Sequence, residues 1–193
     1  TVNVDEFDIP LPKNTDGLAR FALISSNTPK KGVDDFIELA LKAIDACPNA
    51  RFLLVGPVND YIQSLIKGLP SNIEVCGYKA SPQKALKEAD VVMNLSHFQE
   101  SFGRTVSEAM AAKRPVIAYR WGAIPELIDN GINGYLVPFS DIEGLLSRVK
   151  VLTDDAEFRH SLGMAAKQKM IDKFRFESFS KTINKIYGRY FDV

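Results

Sequence analysis

Two rhythms of hydrophobic and polar positions alternate along this chain. Short apolar runs at 21–24 and 52–56 have the length and continuity of buried strands, and 73–77, 90–95, 116–118 and 135–137 read as four more strands. Between them the apolar residues recur at three and four. Val33, Phe36, Ile37, Ala40, Leu41 and Ile44 predict one amphipathic helix, with Asp34 and Asp35 in its first turn. Tyr61, Ile62, Leu65 and Ile66 predict a short helix stopped by Gly68 and Pro70. Ser81-Pro82 reads as an N-cap followed by proline at the first helical position, opening a helix to Ala89. A small-residue helix is expected over 103–112 and a short one over 125–129. Asn130-Gly131 and Asn133-Gly134 read as tight turns.

From Asp141 the rhythm is helical to the end. Ile142, Leu145, Leu146, Val149 and Leu152 form one stripe, and Phe158, Leu162, Ala165 and Ala166 another. Phe179, Ile183, Ile186 and Tyr187 mark a last helix. Strands that alternate with helices predict right-handed crossovers. The expected fold is a doubly wound α/β parallel sheet of about six strands with a C-terminal helical tail. Residues 1–20 are polar, with Pro10, Pro12 and Gly17 spread through them, and read as a linker or strap rather than core.

Composition narrows the picture without pointing anywhere. The chain of 193 residues carries 24 basic and 24 acidic side chains, so its formal net charge is zero. That balance gives no global attraction to nucleic acid or membrane, and any anion site must be local. Cys47 and Cys76 lie in no C-x-x-C and build no framework; they read as thiols in a reducing cytosol. No apolar run approaches the ~20 residues of a membrane-spanning helix, and no signal peptide is expected at the start. The opening Thr1-Val2-Asn3 lacks a methionine, so a fragment of a longer protein is expected.

The chemistry gathers in one stretch, from Glu100 through Phe102-Gly103 to Glu108 and on to Gly122 and Glu126. Strand, glycine turn and helix start succeed each other twice there. A parallel sheet presents its ligand edge in this way, with helix N-termini aimed at an anion. Taken singly, Glu100 and Glu108 read as a loop acid and a helix-surface acid, and His97 as a polar loop histidine.

As a set they resemble something more specific. Glu100-x7-Glu108 with Ser101-Phe102-Gly103 between them, Glu108-Ala109-Met110-Ala111, Pro115-Val116-Ile117-Ala118, Gly122, Pro125-Glu126 and Asn133-Gly134 look like the C-terminal, donor-binding half of a GT-B glycosyltransferase of family 4, the glycosyl transferases group 1. The likeness reaches back to Lys31-Gly32 and to Val4-Asp5-x-Phe7-x-x-Pro10, which is similar to the interdomain linker of that family. It implies a linker over 1–20, a Rossmann-like nucleotide-sugar-binding domain over 21–173, and a helix over 174–193 that crosses back to an N-terminal domain missing from this chain.

The resemblance also assigns roles. The N–H groups around Phe102, Gly103 and Arg104 would cradle a diphosphate, with Gly103 allowing close approach and Lys31 neutralising charge from the first strand–helix loop. An arginine five positions before that lysine in the family is Ser26 here, so Lys30 or Arg104 would substitute. Glu108 would accept from the ribose hydroxyls. Glu100 would face the donor sugar and the reacting centre as the catalytic carboxylate. The base would lie against Gly77-Tyr78-Lys79-Ala80, and Gly56 and Ser96 would line the same crevice. Trp121 would shape the sugar pocket or pack. Phe174, Phe176, Phe179, Tyr187 and Tyr190 read as packing residues.

The implied activity is transfer of a sugar, with retention, from a UDP- or GDP-linked donor to a saccharide or lipid-linked acceptor. No D-x-D loop is present, so helix N-termini and lysines are expected to stabilise the leaving diphosphate without a metal or other cofactor. The chain alone is expected to bind donor and turn over poorly. A cytoplasmic location is expected, with peripheral membrane association only through the missing half. Two other readings stay open: a non-catalytic nucleotide- or sugar-binding module, and half of a GT-B-like epimerase.

Overall fold

The computed structural model describes residues 2–12 and 16–190. Six strands, β1 Ala19–Ile24, β2 Ala50–Val55, β3 Ile73–Gly77, β4 Val91–Asn94, β5 Val116–Tyr119 and β6 Gly134–Val137, form one sheet in the order β3-β2-β1-β4-β5-β6. Every pairing is parallel. The chain winds outward from β1 to β3, returns, and winds the other way from β4 to β6. The expected doubly wound, Rossmann-like sheet is thus the observed one.

The helices are α1 Val33–Ala46, α2 Asp60–Leu65, α3 Pro82–Leu86, α4 Arg104–Ala111, α5 Ile124–Leu127, α6 Ile142–Asp154, α7 Ala156–Lys169 and α8 Phe176–Tyr190. Their starts follow the capping chemistry. Asn59, Ser81, Asp141 and Asp155 each accept a backbone N–H from the first turn of α2, α3, α6 and α7. Between α7 and α8 a π-helical turn spans Met170–Phe174. No described helix is long and apolar enough to cross a membrane.

Side chains on a strand alternate between faces, and a parallel sheet covered on both sides buries both sets. Phe21 and Leu23, Phe52 and Leu54, Ile117 and Tyr119, and Tyr135 and Val137 face one core, which α1 and α6 cover with Phe36, Leu39, Leu145 and Val149. Ala22, Leu53, Val55, Val92, Val116, Ala118 and Leu136 face a second core, closed by Leu86 of α3, Val106 and Met110 of α4, and Ile124 and Leu127 of α5. This two-sided burial is why the strands read as continuous apolar runs rather than alternating ones.

The N-terminal segment departs from the expectation that residues 1–20 lie outside the core. Val2, Val4 and Phe7 are buried in the second core, and Ala19 is already in β1. Polar contacts fasten the segment down. The Val2 N–H donates to the Phe174 carbonyl at 3.2 Å. Asp8 pairs with Lys113 at 2.8 Å and Lys167 at 2.7 Å, and hydrogen bonds from these two ammonium groups hold its carboxyl down at about 2. Arg114 is fully buried and donates to the carbonyls of Leu86, Ala89, Ala112 and Pro10. Burial pulls its guanidinium down to about 10. At the other end, Phe174 packs edge-on against Phe102, with ring centres 6.3 Å apart, whereas Ile186 and Tyr187 are exposed. The expected packing of Phe176, Phe179 and Tyr190, and residues 191–193 of the final segment, lie outside the described residues.

Candidate functional site

A cavity of about 370 Å³ opens at the carboxyl ends of β1, β2 and β4, where Ile24, Val55 and Asn94 reach its wall. The strand order reverses between β1 and β4, which is the position where open α/β sheets take ligands. Because β3 lies at one edge of the sheet, the loop after β3 brings Tyr78, Lys79, Ala80 and Ser81 to one side of the cavity. The loop after β4 and the start of α4 bring Ser96, Glu100, Arg104, Thr105 and Glu108 to the other. Ser26 and Lys31 come from the loop after β1, and Gly56 from the loop after β2.

The charged side is organised by two ion pairs. Lys31 Nζ lies 2.8 Å from Glu100 Oε1, and the Ser96 hydroxyl donates to the same oxygen at 2.9 Å. Both charged side chains are partly shielded from solvent. Arg104 Nε lies 3.3 Å from Glu108 Oε1; the arginine is exposed and the glutamate mostly covered. Burial raises the Glu108 carboxyl above its ordinary range, against the opposing charge of Arg104. Within α4 the ladder begins with the Ser107 N–H donating to the Gly103 carbonyl at 3.0 Å. The N–H groups of the preceding turn therefore lie ahead of the ladder, at the positive end of the helix dipole and beside Arg104. Cation, dipole and carboxylate together make a place for an anion flanked by hydroxyls.

Of the residues expected here, Ser26, Lys31, Gly56, Tyr78, Lys79, Ser96, Glu100, Arg104 and Glu108 share the cavity wall. Ser26 brings no charge; its hydroxyl lies 3.5 Å from that of Thr28. Lys79 is paired with Glu88 at 3.2 Å, so its charge is partly committed. Lys30, Gly77, Phe102 and Gly103 are not on the wall. Lys30 is exposed, with its ammonium 5.8 Å from the centre of the Phe98 ring. The Gly77 carbonyl accepts from the Gly56 N–H at 3.1 Å. Phe102 turns toward Phe174.

Gly103 also serves packing. Its φ is +76°, and a Cβ there would sit 2.6 Å from Ile124 Cδ1. The glycine lets α4 start with a left-handed residue and pack on α5. Trp121 stacks on Phe139 with ring centres 5.1 Å apart, away from the wall. Gly122 brings the chain against Glu100: a Cβ there would sit 2.7 Å from the Glu100 carbonyl oxygen. Thr105 and Asn94 lie on the wall without having been singled out. Thr105, two residues past the glycine that opens α4, is the one that helix-start reasoning could have supplied.

The chain is similar in sequence and fold to known proteins. The family described as glycosyl transferases group 1 matches residues 19–155. The chain is 31% identical over 174 residues to the N-acetyl-alpha-D-glucosaminyl L-malate synthase of Bacillus anthracis, covering 88% of this chain and 44% of that protein. It is 30% identical over 161 residues to the poly(ribitol-phosphate) alpha-N-acetylglucosaminyltransferase of Staphylococcus aureus, covering 80% of this chain and 32% of that one. The chain thus spans less than half the length of these relatives. Among solved structures, a variant of TarM from S. aureus, crystallised with fondaparinux, alpha-GlcNAc-glycerol and UDP, superposes with a TM-score of 0.78 at 29% identity, over 92% of this chain and 37% of that one. The C-terminal domain of a glycosyl transferase group 1 protein (LpcC) from Francisella tularensis has the same fold, with a TM-score of 0.77 at 23% identity, covering 91% of this chain and all of that domain.

Proposed function

Since the chain belongs to the glycosyl transferases group 1 family, we propose that it is the donor-binding half of a retaining glycosyltransferase that moves a sugar from a nucleoside diphosphate to a saccharide or lipid-linked acceptor. The observation that carries this reading is the cavity between β1 and β4, with the N-terminus of α4, Lys31 and Arg104 around one side and the covered carboxylate of Glu108 beside them. The diphosphate sits against the helix N-terminus, where the dipole and Arg104 offset charge as it develops on the leaving group, with no metal required. Glu108 accepts from the two ribose hydroxyls. The side of the cavity formed by Gly56 and Tyr78–Pro82 takes the base. A second domain supplies the acceptor site and the rest of the reacting centre, in a cytoplasmic enzyme.

The Lys31–Glu100 pair gives this site a preference that the residue types alone do not. A bare diphosphate must compete with Glu100 for the Lys31 ammonium and also meets the negative charge of Glu100. A sugar-bearing donor compensates, because its hydroxyls give the released carboxylate new donors. UDP in the TarM complex and the N-acetylglucosaminyl names of both relatives make UDP and UDP-N-acetylglucosamine the first probes.

Calorimetric titration of the chain with UDP, GDP and UDP-N-acetylglucosamine tests the reading. Saturable binding below millimolar is expected for at least one nucleotide. Glu100→Gln should bind bare UDP about fivefold tighter, the size of one part-covered ion pair of about 1 kcal/mol. A folded chain that binds none of the three at millimolar concentration contradicts the donor-site reading.

A further inference from the structure

Outside the cavity lining, two side chains from separate elements meet on one carboxylate oxygen of a third. The Tyr119 hydroxyl, at the end of β5, donates to Asp35 Oδ2 at 2.5 Å. His97 Nε2, in the loop after β4, lies 2.8 Å from the same oxygen. Asp35 itself is in the first turn of α1, its side chain largely covered. Tyr119 is buried, and burial with the neighbouring carboxylate pushes its phenol far above the ordinary tyrosine range, so it is a donor to Asp35 at neutral pH. None of the three lines the cavity. They nonetheless hold the segment that does. His97 lies three residues before Glu100, its own N–H donates to the Lys30 carbonyl at 2.9 Å, and the Ala123 N–H donates to the Glu100 carbonyl at 2.9 Å.

We infer that Asp35 is a positioning residue for Glu100. The backbone bonds fix the two ends of the short loop 97–100, but a loop bonded only at its ends can still rock. The Asp35–His97 contact adds a side-chain anchor to the backbone bond at residue 97, which together fix the orientation of that end, and Tyr119 fixes the direction in which Asp35 points. The anchor therefore sets where Glu100 stands relative to Lys31, and so how strongly the carboxylate holds the lysine back from a phosphate. The loop anchor stands on the local geometry alone. The consequence for ligands rests on the donor-site reading above, and the two parts are measured separately.

The test uses the whole chain with Asp35→Ala, His97→Ala and His97→Gln; the last keeps an N–H that can reach Asp35. Hydrogen exchange without any nucleotide comes first. In both alanine variants the amides of 97–101 should exchange at least about tenfold faster while β1 and β4 keep their protection, and His97→Gln should stay near the parent. His97→Ala, at a partly exposed loop position, keeps the test decisive if Asp35→Ala does not fold. Unchanged loop exchange, or acceleration spread evenly over the sheet, overturns the anchor.

The second arm is a double-mutant cycle on UDP affinity. If Asp35 acts through Glu100, the roughly fivefold gain from Glu100→Gln should shrink to less than about twofold in the His97→Ala background. A full gain there overturns the positioning role. Absence of UDP binding in the parent chain overturns the donor-site reading and with it the ligand consequence, and leaves the anchor to be judged on exchange alone.

Discussion

Glu108 shows how a covered carboxylate leaves a mark on stability. Its carboxylate is mostly covered, and burial raises its pKa despite Arg104. A group whose pKa is raised on folding contributes most below its unfolded value near 4.5, and that contribution is lost as pH rises through the folded value. At neutral pH the ionised carboxylate is therefore a cost. Glu108→Gln should melt above the parent at pH 7, with the gap closing as pH falls toward 4.5 and below. The same variant should bind UDP about tenfold more weakly, through lost hydrogen bonds to a charged acceptor. Thermal scans across pH with parallel titrations check both halves. A variant that melts lower at pH 7 and binds UDP as well as the parent contradicts the ribose role. Lys31, Glu100 and Glu108 were legible because a cation before Gly32 and two carboxylates spaced about a helix start suit an anion and its hydroxyls. The Lys31–Glu100 pair was not, because it joins residues 69 positions apart.

At the scale of elements the strands were plain in the sequence, and for a physical reason. The inner strands β1, β2, β4 and β5 are covered on both faces, so their apolar runs are long; the edge strand β3 is only half-buried and carries the exposed Glu74. Segment 2–12 was not legible, because Val2, Val4 and Phe7 stand singly among polar residues in no helical or strand period. Arg114 was hidden too. An arginine that donates to four backbone carbonyls leaves no trace in a one-dimensional pattern.

The junction of β1 and α1 carries its own prediction. Gly32 has φ +75°, and a Cβ there would sit 2.0 Å from the Leu95 carbonyl oxygen. Gly17 has nearly the same φ, +73°, with nothing within 4 Å. Gly17→Ala should cost about 1 kcal/mol for its backbone conformation alone, whereas Gly32→Ala should cost at least about 3 kcal/mol because the Leu95 backbone must also move. Urea unfolding of the two variants decides it, and equal losses would show that the loops after β1 and β4 do not press together as the structure has them.

The whole molecule is a sheet with two cores and one open edge. The N-terminal segment is tied back to the domain at Phe174, Lys113, Lys167 and Arg114, so residues 2–12 belong to this body and not to a loose tether. Under the proposed function the diphosphate is received at the start of α4. Titrating isotope-labelled chain with UDP and following its amide resonances tests this. The largest shifts should fall on the amides of 103–106 and around Lys31 and Gly56, with the far end of the sheet near Leu18 and Asp90 silent. Shifts that cluster away from the start of α4, or a spectrum that UDP leaves unchanged, would contradict it.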